Sequence, residues 1–133
     1  MILWVFALFM SEHLSSQVLS TISFGLSGGE ASLNIGIGEE FVIEAISNPS
    51  AGFGWFPIGS IPHCLELLSK EYRSDAPKDS HVVGAPSTLQ FHFIARYQCS
   101  SRLEYVYKRP WEATKAGDAT IRINLSIQST EDL

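Results

Sequence analysis

A chain of 133 residues has room for one domain and one core. With 45% hydrophobic residues it can bury roughly two thirds of its unfolded surface, enough to stand without metals or dense disulfides. Nine basic residues against 14 acidic ones, a net charge of −5, argue against a nucleic-acid partner, because phosphate binding needs clustered Lys and Arg.

The chain opens on an unbroken apolar run, Ile2 to Met10, followed by polar and small residues from Ser11 to Ser20. The run is far too short to span a bilayer, so no membrane span is expected. Its length suits the apolar core of a secretory signal, with Val18 and Ser20 as small residues before a cut at Thr21, although no Lys or Arg precedes it. Residues 1–20 are therefore expected to be a signal peptide and residues 21–133 the domain. The competing reading is an apolar first strand. A working signal sends the protein into the secretory pathway, to a lysosome- or phagosome-like compartment or outside the cell; without one it stays in the cytoplasm.

Beyond the leader, Gly25, Gly28 and Gly29 read as a flexible lead-in. Five runs then alternate with a period of two: Leu33, Ile35 and Ile37; Phe41, Ile43 and Ala45; Leu89, Phe91, Phe93 and Ala95; Leu103, Tyr105 and Tyr107; and Ile121, Ile123, Leu125 and Ile127. A period of two buries one face of each strand and wets the other. Cys64 to Tyr72 competes as helix, since Leu65 and Leu68 are three apart, but the segment is short and bounded by Pro62 and Pro77, which favours strand. Turn-forming residues fill 47–54, 74–80, 98–101 and 109–118. Many short strands with regular turns predict an all-β sandwich or barrel.

Catalytic chemistry finds little support. His63 adjoins Cys64, but no C-x-x-C spacing marks a metal site, and Cys64 as a nucleophile lacks a base at any recognisable spacing. His92 falls on the polar side of its strand and is expected to be exposed. Glu39 and Glu40 read as a solvated strand edge. No catalytic residue, metal or cofactor is assigned.

Two connections are more informative. Asn48-Pro49-Ser50-Ala51-Gly52-Phe53-Gly54-Trp55 leaves one strand and opens the next. Pro49 fixes φ and the glycines admit positive φ, so a narrow wedge with a small-residue tip is expected. Lys108-Arg109-Pro110-Trp111-Glu112 places a large aromatic in a connection. Trp111 either folds back on the sandwich or stands out as an anchor for a partner, the residue type favoured at binding hot spots.

Asn48-Pro49-Ser50-Ala51-Gly52-Phe53 resembles the N-P-T-T-G-Y/F motif of the chagasin family, and Arg109-Pro110-Trp111 matches that family's R-P-W motif. Between them Gly84-Ala85-Pro86 lies where the family carries a Gly-rich loop; here Pro86 and Ser87 replace later glycines. The similarity runs from about Ala31 to Ile127. It implies an eight-stranded immunoglobulin-like β-sandwich that inhibits papain-like cysteine peptidases reversibly, as a 1:1 complex. The first loop enters the catalytic centre, and the loops at 81–88 and 109–117 flank it. Arg109 either orients the loop or meets the enzyme directly.

On this topology Cys64 and Cys99 fall at the end away from the three loops. Whether they bond stays open, since bridging needs Cα atoms within about 7 Å. Asn124-Leu125-Ser126 is a glycosylation sequon with Asn124 facing outward. Two rival functions remain beside inhibition, a secreted immunoglobulin-like adhesion or recognition module and a small enzyme. Neither requires both loop motifs.

Overall fold

A computed structural model describes residues 19–74 and 86–129. Among these residues eight strands follow in order: β1 (Ser20–Phe24), β2 (Gly28–Gly36), β3 (Glu40–Ser47), β4 (Gly54–Pro57), β5 (Leu65–Ser74), β6 (Ser87–Ala95), β7 (Cys99–Lys108) and β8 (Thr120–Gln128). One 3-10 turn, Pro49–Ala51, stands between β3 and β4, and no α-helix occurs among the described residues. The strands form two four-stranded sheets, ordered β1-β3-β6-β5 and β2-β8-β7-β4. The chain is an all-β sandwich.

The alternating runs explain the layers. Phe41, Ile43 and Ala45 of β3 and Leu89, Phe91 and Phe93 of β6 are buried, as are Leu103 and Tyr105 of β7 and Ile121, Ile123 and Ile127 of β8. Phe91 and Tyr105 stack across the two sheets with centroids 4.5 Å apart. Burying a side chain of this size contributes about 1.5–3 kcal/mol, so these rows decide which face turns inward. Strand, not helix, holds over β5, and the helix-like spacing of Leu65 and Leu68 has a local cause. A register shift between Leu67 and Ser69 inserts an extra residue, leaving Leu67 and Leu68 both exposed on an edge strand.

Three expectations need correction. Gly25, Gly28 and Gly29 are not a flexible lead-in. They belong to a tight reversal from β1 to β2, closed by the Gly28 N–H donating to the Gly25 carbonyl at 3.1 Å. Gly28 has φ +74° and lies against the Thr120 carbonyl, where a Cβ would clash. Ile37 is not part of the buried row: it follows β2 in a turn and is exposed. His92 is half covered, with Nε2 2.7 Å from Oε1 of Glu40, the first residue of β3.

Register places the connections. Ser47 pairs with Ser87, Ser87 with Ser74, and Gly54 with Lys108. The connections 48–53 and 109–119, and the strand ends flanking residues 75–86, therefore gather at one end. At the other end Cys64 and Cys99 are joined by a disulfide with Cα atoms 6.3 Å apart. It ties the start of β5 in one sheet to the start of β7 in the other, and it leaves no thiol at Cys64 for nucleophilic work.

Candidate functional site

The wedge is built by its own backbone. Pro49 starts a single 3-10 turn in which the Ala51 N–H donates to the Asn48 carbonyl at 3.1 Å and the Gly52 N–H to the Pro49 carbonyl at 3.0 Å. Gly52 then reverses the chain at φ +87°, a left-handed conformation that costs a side-chain-bearing residue about 1–2 kcal/mol. The Ser50 hydroxyl donates to Oδ1 of Asn48 at 2.9 Å, closing the turn on its outer side. Pro49, Ser50 and Ala51 are exposed, so the tip presents only small groups.

Its feet are anchored in the sandwich. Trp55 is 1% exposed and its indole N–H donates to the Ile46 carbonyl at 3.0 Å. Tyr107 is a hub that sequence reasoning treated only as a strand residue. Its hydroxyl accepts the Asn48 N–H at 2.9 Å, and its ring lies 5.0 Å from Phe53 and 4.9 Å from Trp55. One side chain thereby fixes both the start and the exit of the wedge. The sequence signal was present, since Tyr107 immediately precedes Lys108-Arg109-Pro110-Trp111 and ends an inward-facing row.

The third connection braces the first. Arg109 Nε donates to the Ala51 carbonyl at 3.2 Å, and its guanidinium lies 4.5 Å from the Phe53 ring centroid. Arg109 therefore orients the wedge from within the protein. The Arg109 Nη1 also reaches Glu112 at 3.3 Å, and Glu112 accepts from Lys115 at 3.2 Å. Hydrogen bonds from Lys115 and then Arg109 hold the Glu112 carboxyl below its ordinary range. With a lowered pKa, this contribution is present at neutral pH and is lost only as pH falls through the lowered value. Lys108 Nζ donates to the Glu112 carbonyl at 2.7 Å, closing the base of the loop.

Trp111 does not fold back into the core. It is 73% exposed and lies beside Gly52, where a Cβ would come within 3.1 Å of its ring. The structure thus brings together Asn48, Pro49, Ser50, Ala51, Gly52, Phe53, Arg109, Pro110 and Trp111. Pro86 is exposed at the same end, next to β6, while Gly84 and Ala85 lie outside the described residues. Among the described residues no group of His, Cys, Asp or Glu is placed to hold a metal.

The end of the sandwich thus carries a tip of small side chains, held from both feet and flanked by an exposed tryptophan. The sequence model of the chagasin family of peptidase inhibitors, I42, matches residues 34–126. Chagasin of Trypanosoma cruzi is 32% identical over 82 residues, spanning 61% of this chain and 74% of the relative. The chain belongs to the chagasin family. In fold it is similar to the cysteine protease inhibitor EhICP2 of Entamoeba histolytica, with a TM-score of 0.65 at 21% identity over 83% of this chain and 97% of that one. It is also similar to PbICP-C, solved in complex with falcipain-2, with a TM-score of 0.59 at 14% identity over 82% and 99% of the two chains.

Proposed function

We propose that this chain inhibits papain-like cysteine peptidases reversibly by seating the Asn48–Phe53 wedge in the catalytic cleft. The observation that carries the mechanism is the internal engagement of the wedge. The carbonyls of Asn48 and Pro49 accept backbone bonds within the turn, and the carbonyl of Ala51 accepts from Arg109. A substrate lies extended in such a cleft and offers a carbonyl to the thiolate. Here the chain is curled into a 3-10 turn and three of its carbonyls are already occupied. The tip blocks the nucleophile by shape and offers it little to attack.

Affinity then rests on contact area and preorganisation. An interface of this kind buries about 1,600 Å² in total. Because Arg109 and Tyr107 hold the wedge in the free protein, little ordering entropy remains to be lost on docking. Asn48 to Phe53 form the central contact, flanked by Gly84, Ala85 and Pro86 in one loop and by Arg109 to Trp111 in the other. The sheet orders support an immunoglobulin-like connectivity.

Residues 1–20 act as an export signal in this reading and the domain begins near Thr21. The Cys64–Cys99 disulfide supports an oxidising compartment. Titrating the purified domain against papain tests the function. Full, reversible inhibition of papain-like enzymes is expected, with serine and metallopeptidases untouched. No inhibition of several papain-like enzymes at micromolar protein overturns it. N-terminal sequencing of secreted material tests the signal.

A further inference from the structure

A stable complex of about 1,600 Å² engages roughly 20–30 residues on each side. Asn48 to Phe53 and Arg109 to Trp111 supply nine residues, and surface beside them at the same end of the sandwich is within reach of the same partner.

Tyr72 stands out there. It pairs with Leu89, which pairs with Ala45; both of those partners are fully buried on the core side of their sheet. Tyr72 lies in the same row, yet it is 49% exposed. The reason is topological. β5 is an edge strand, and the edge of the facing sheet is β4, only four residues long and starting at Gly54. The phenol oxygen lies 3.8 Å from where a Cβ on Gly54 would sit, and the Phe56 ring lies 3.4 Å from the same point. The Tyr72 hydroxyl therefore sits beside Gly54, at the exit of the wedge, at ordinary van der Waals distance. The edge position exposes Leu67 of the same row as well, and at Tyr72 it leaves an aromatic accessible beside the wedge.

We propose that Tyr72 is an additional peptidase contact, an aromatic anchor on the β4–β5 flank of the wedge. It rests on the inhibitory reading above. Its chemistry suits the role: a flat apolar ring to cover the rim of a cleft and a phenol to hydrogen-bond the enzyme's backbone, at a low cost in side-chain entropy. The surface is continuous with the wedge, because the Tyr72 hydroxyl lies beside Gly54, the first residue of the strand into which the wedge runs.

Two measurements test it. In the first, tyrosine nitration is mapped by mass spectrometry with and without saturating thiol-capped papain. Tyr97, 61% exposed in the β6–β7 turn at the opposite end, serves as internal control. Tyr72 should be protected in the complex while Tyr97 reacts as before; equal reaction of Tyr72 in both samples overturns the proposal. In the second, Tyr72→Ala should raise the inhibition constant by roughly fivefold or more, the usual floor for an anchor aromatic, with Tyr72→Phe in between. Concentrations are corrected to the folded fraction, so a loss of edge packing is not counted as lost contact. An unchanged constant for folded Tyr72→Ala, with the parent still inhibiting, sinks this contact alone. A parent that fails to inhibit sinks the inhibitory reading and this contact with it.

Discussion

Gly52→Ala isolates the conformation of the wedge from its chemistry. Gly52 sits at φ +87°, where an alanine costs about 1–2 kcal/mol. The added Cβ would also stand 3.1 Å from the Trp111 ring, tighter than ordinary contact, so the tryptophan must give way by a few tenths of an ångström. Both effects act on the two loops that form the head and on nothing in the core. If docking requires the observed turn, the enzyme must restore it, and 1–2 kcal/mol raises the inhibition constant about 5- to 30-fold. Gly117 in the neighbouring connection is the control. It has no atom within 4 Å of its Cβ position and no positive φ, so Gly117→Ala should be neutral in inhibition and neutral or slightly favourable in stability. Progress curves against papain give the constants, and thermal melts confirm folding. Gly52→Ala inhibiting as well as the parent, or Gly117→Ala losing as much, would refute the reasoning.

Trp111→Ala should weaken inhibition by about tenfold or more while barely moving the melting temperature, because the ring is 73% exposed; a collapse of Tm with normal inhibition by the folded remainder would make the ring structural instead. Tyr105 is buried with no hydrogen-bond partner for its hydroxyl among the described residues, so Tyr105→Phe should be neutral or stabilising by about 1 kcal/mol in urea unfolding. Burial raises the Tyr105 pKa, so the neutral phenol is favoured in the fold. Stability tied to that group is intact below the usual tyrosine range and falls as pH rises above about 10, a loss that Tyr105→Phe should lack in an alkaline titration. Reducing the Cys64–Cys99 bond, which closes a loop of sequence separation 35, should cost about 3–4 kcal/mol by chain entropy. Because the bond lies away from the wedge, folded reduced protein should inhibit like the parent, and unequal constants would show that the two ends communicate.

The head was legible in the sequence to the extent that local backbone chemistry builds it. Asn48-Pro49-Ser50-Ala51-Gly52 specifies its own turn, because Pro49 presets φ and Gly52 alone tolerates the reversal. The alternating rows of β3, β6, β7 and β8 were equally readable, since a period of two and one buried face leave a single register.

What the sequence did not settle depends on which residues distant in the chain become neighbours. Arg109 read as either a brace or a contact, and only the fold puts its Nε 3.2 Å from the carbonyl of Ala51, 58 residues away. Tyr107 carried the same period as any core aromatic until the register set it under the wedge. The glycines at 25, 28 and 29 read as slack, because the close approach of Gly28 to Thr120 exists only when β2 lies parallel to β8. The cysteines stayed undecided for a similar reason, since Cα atoms 6.3 Å apart require two sheets packed face to face. Turns and alternation are written within a few residues, and the sequence alone determines them. Braces, hubs and cross-links join residues tens of positions apart, and only the closing of the sandwich decides them.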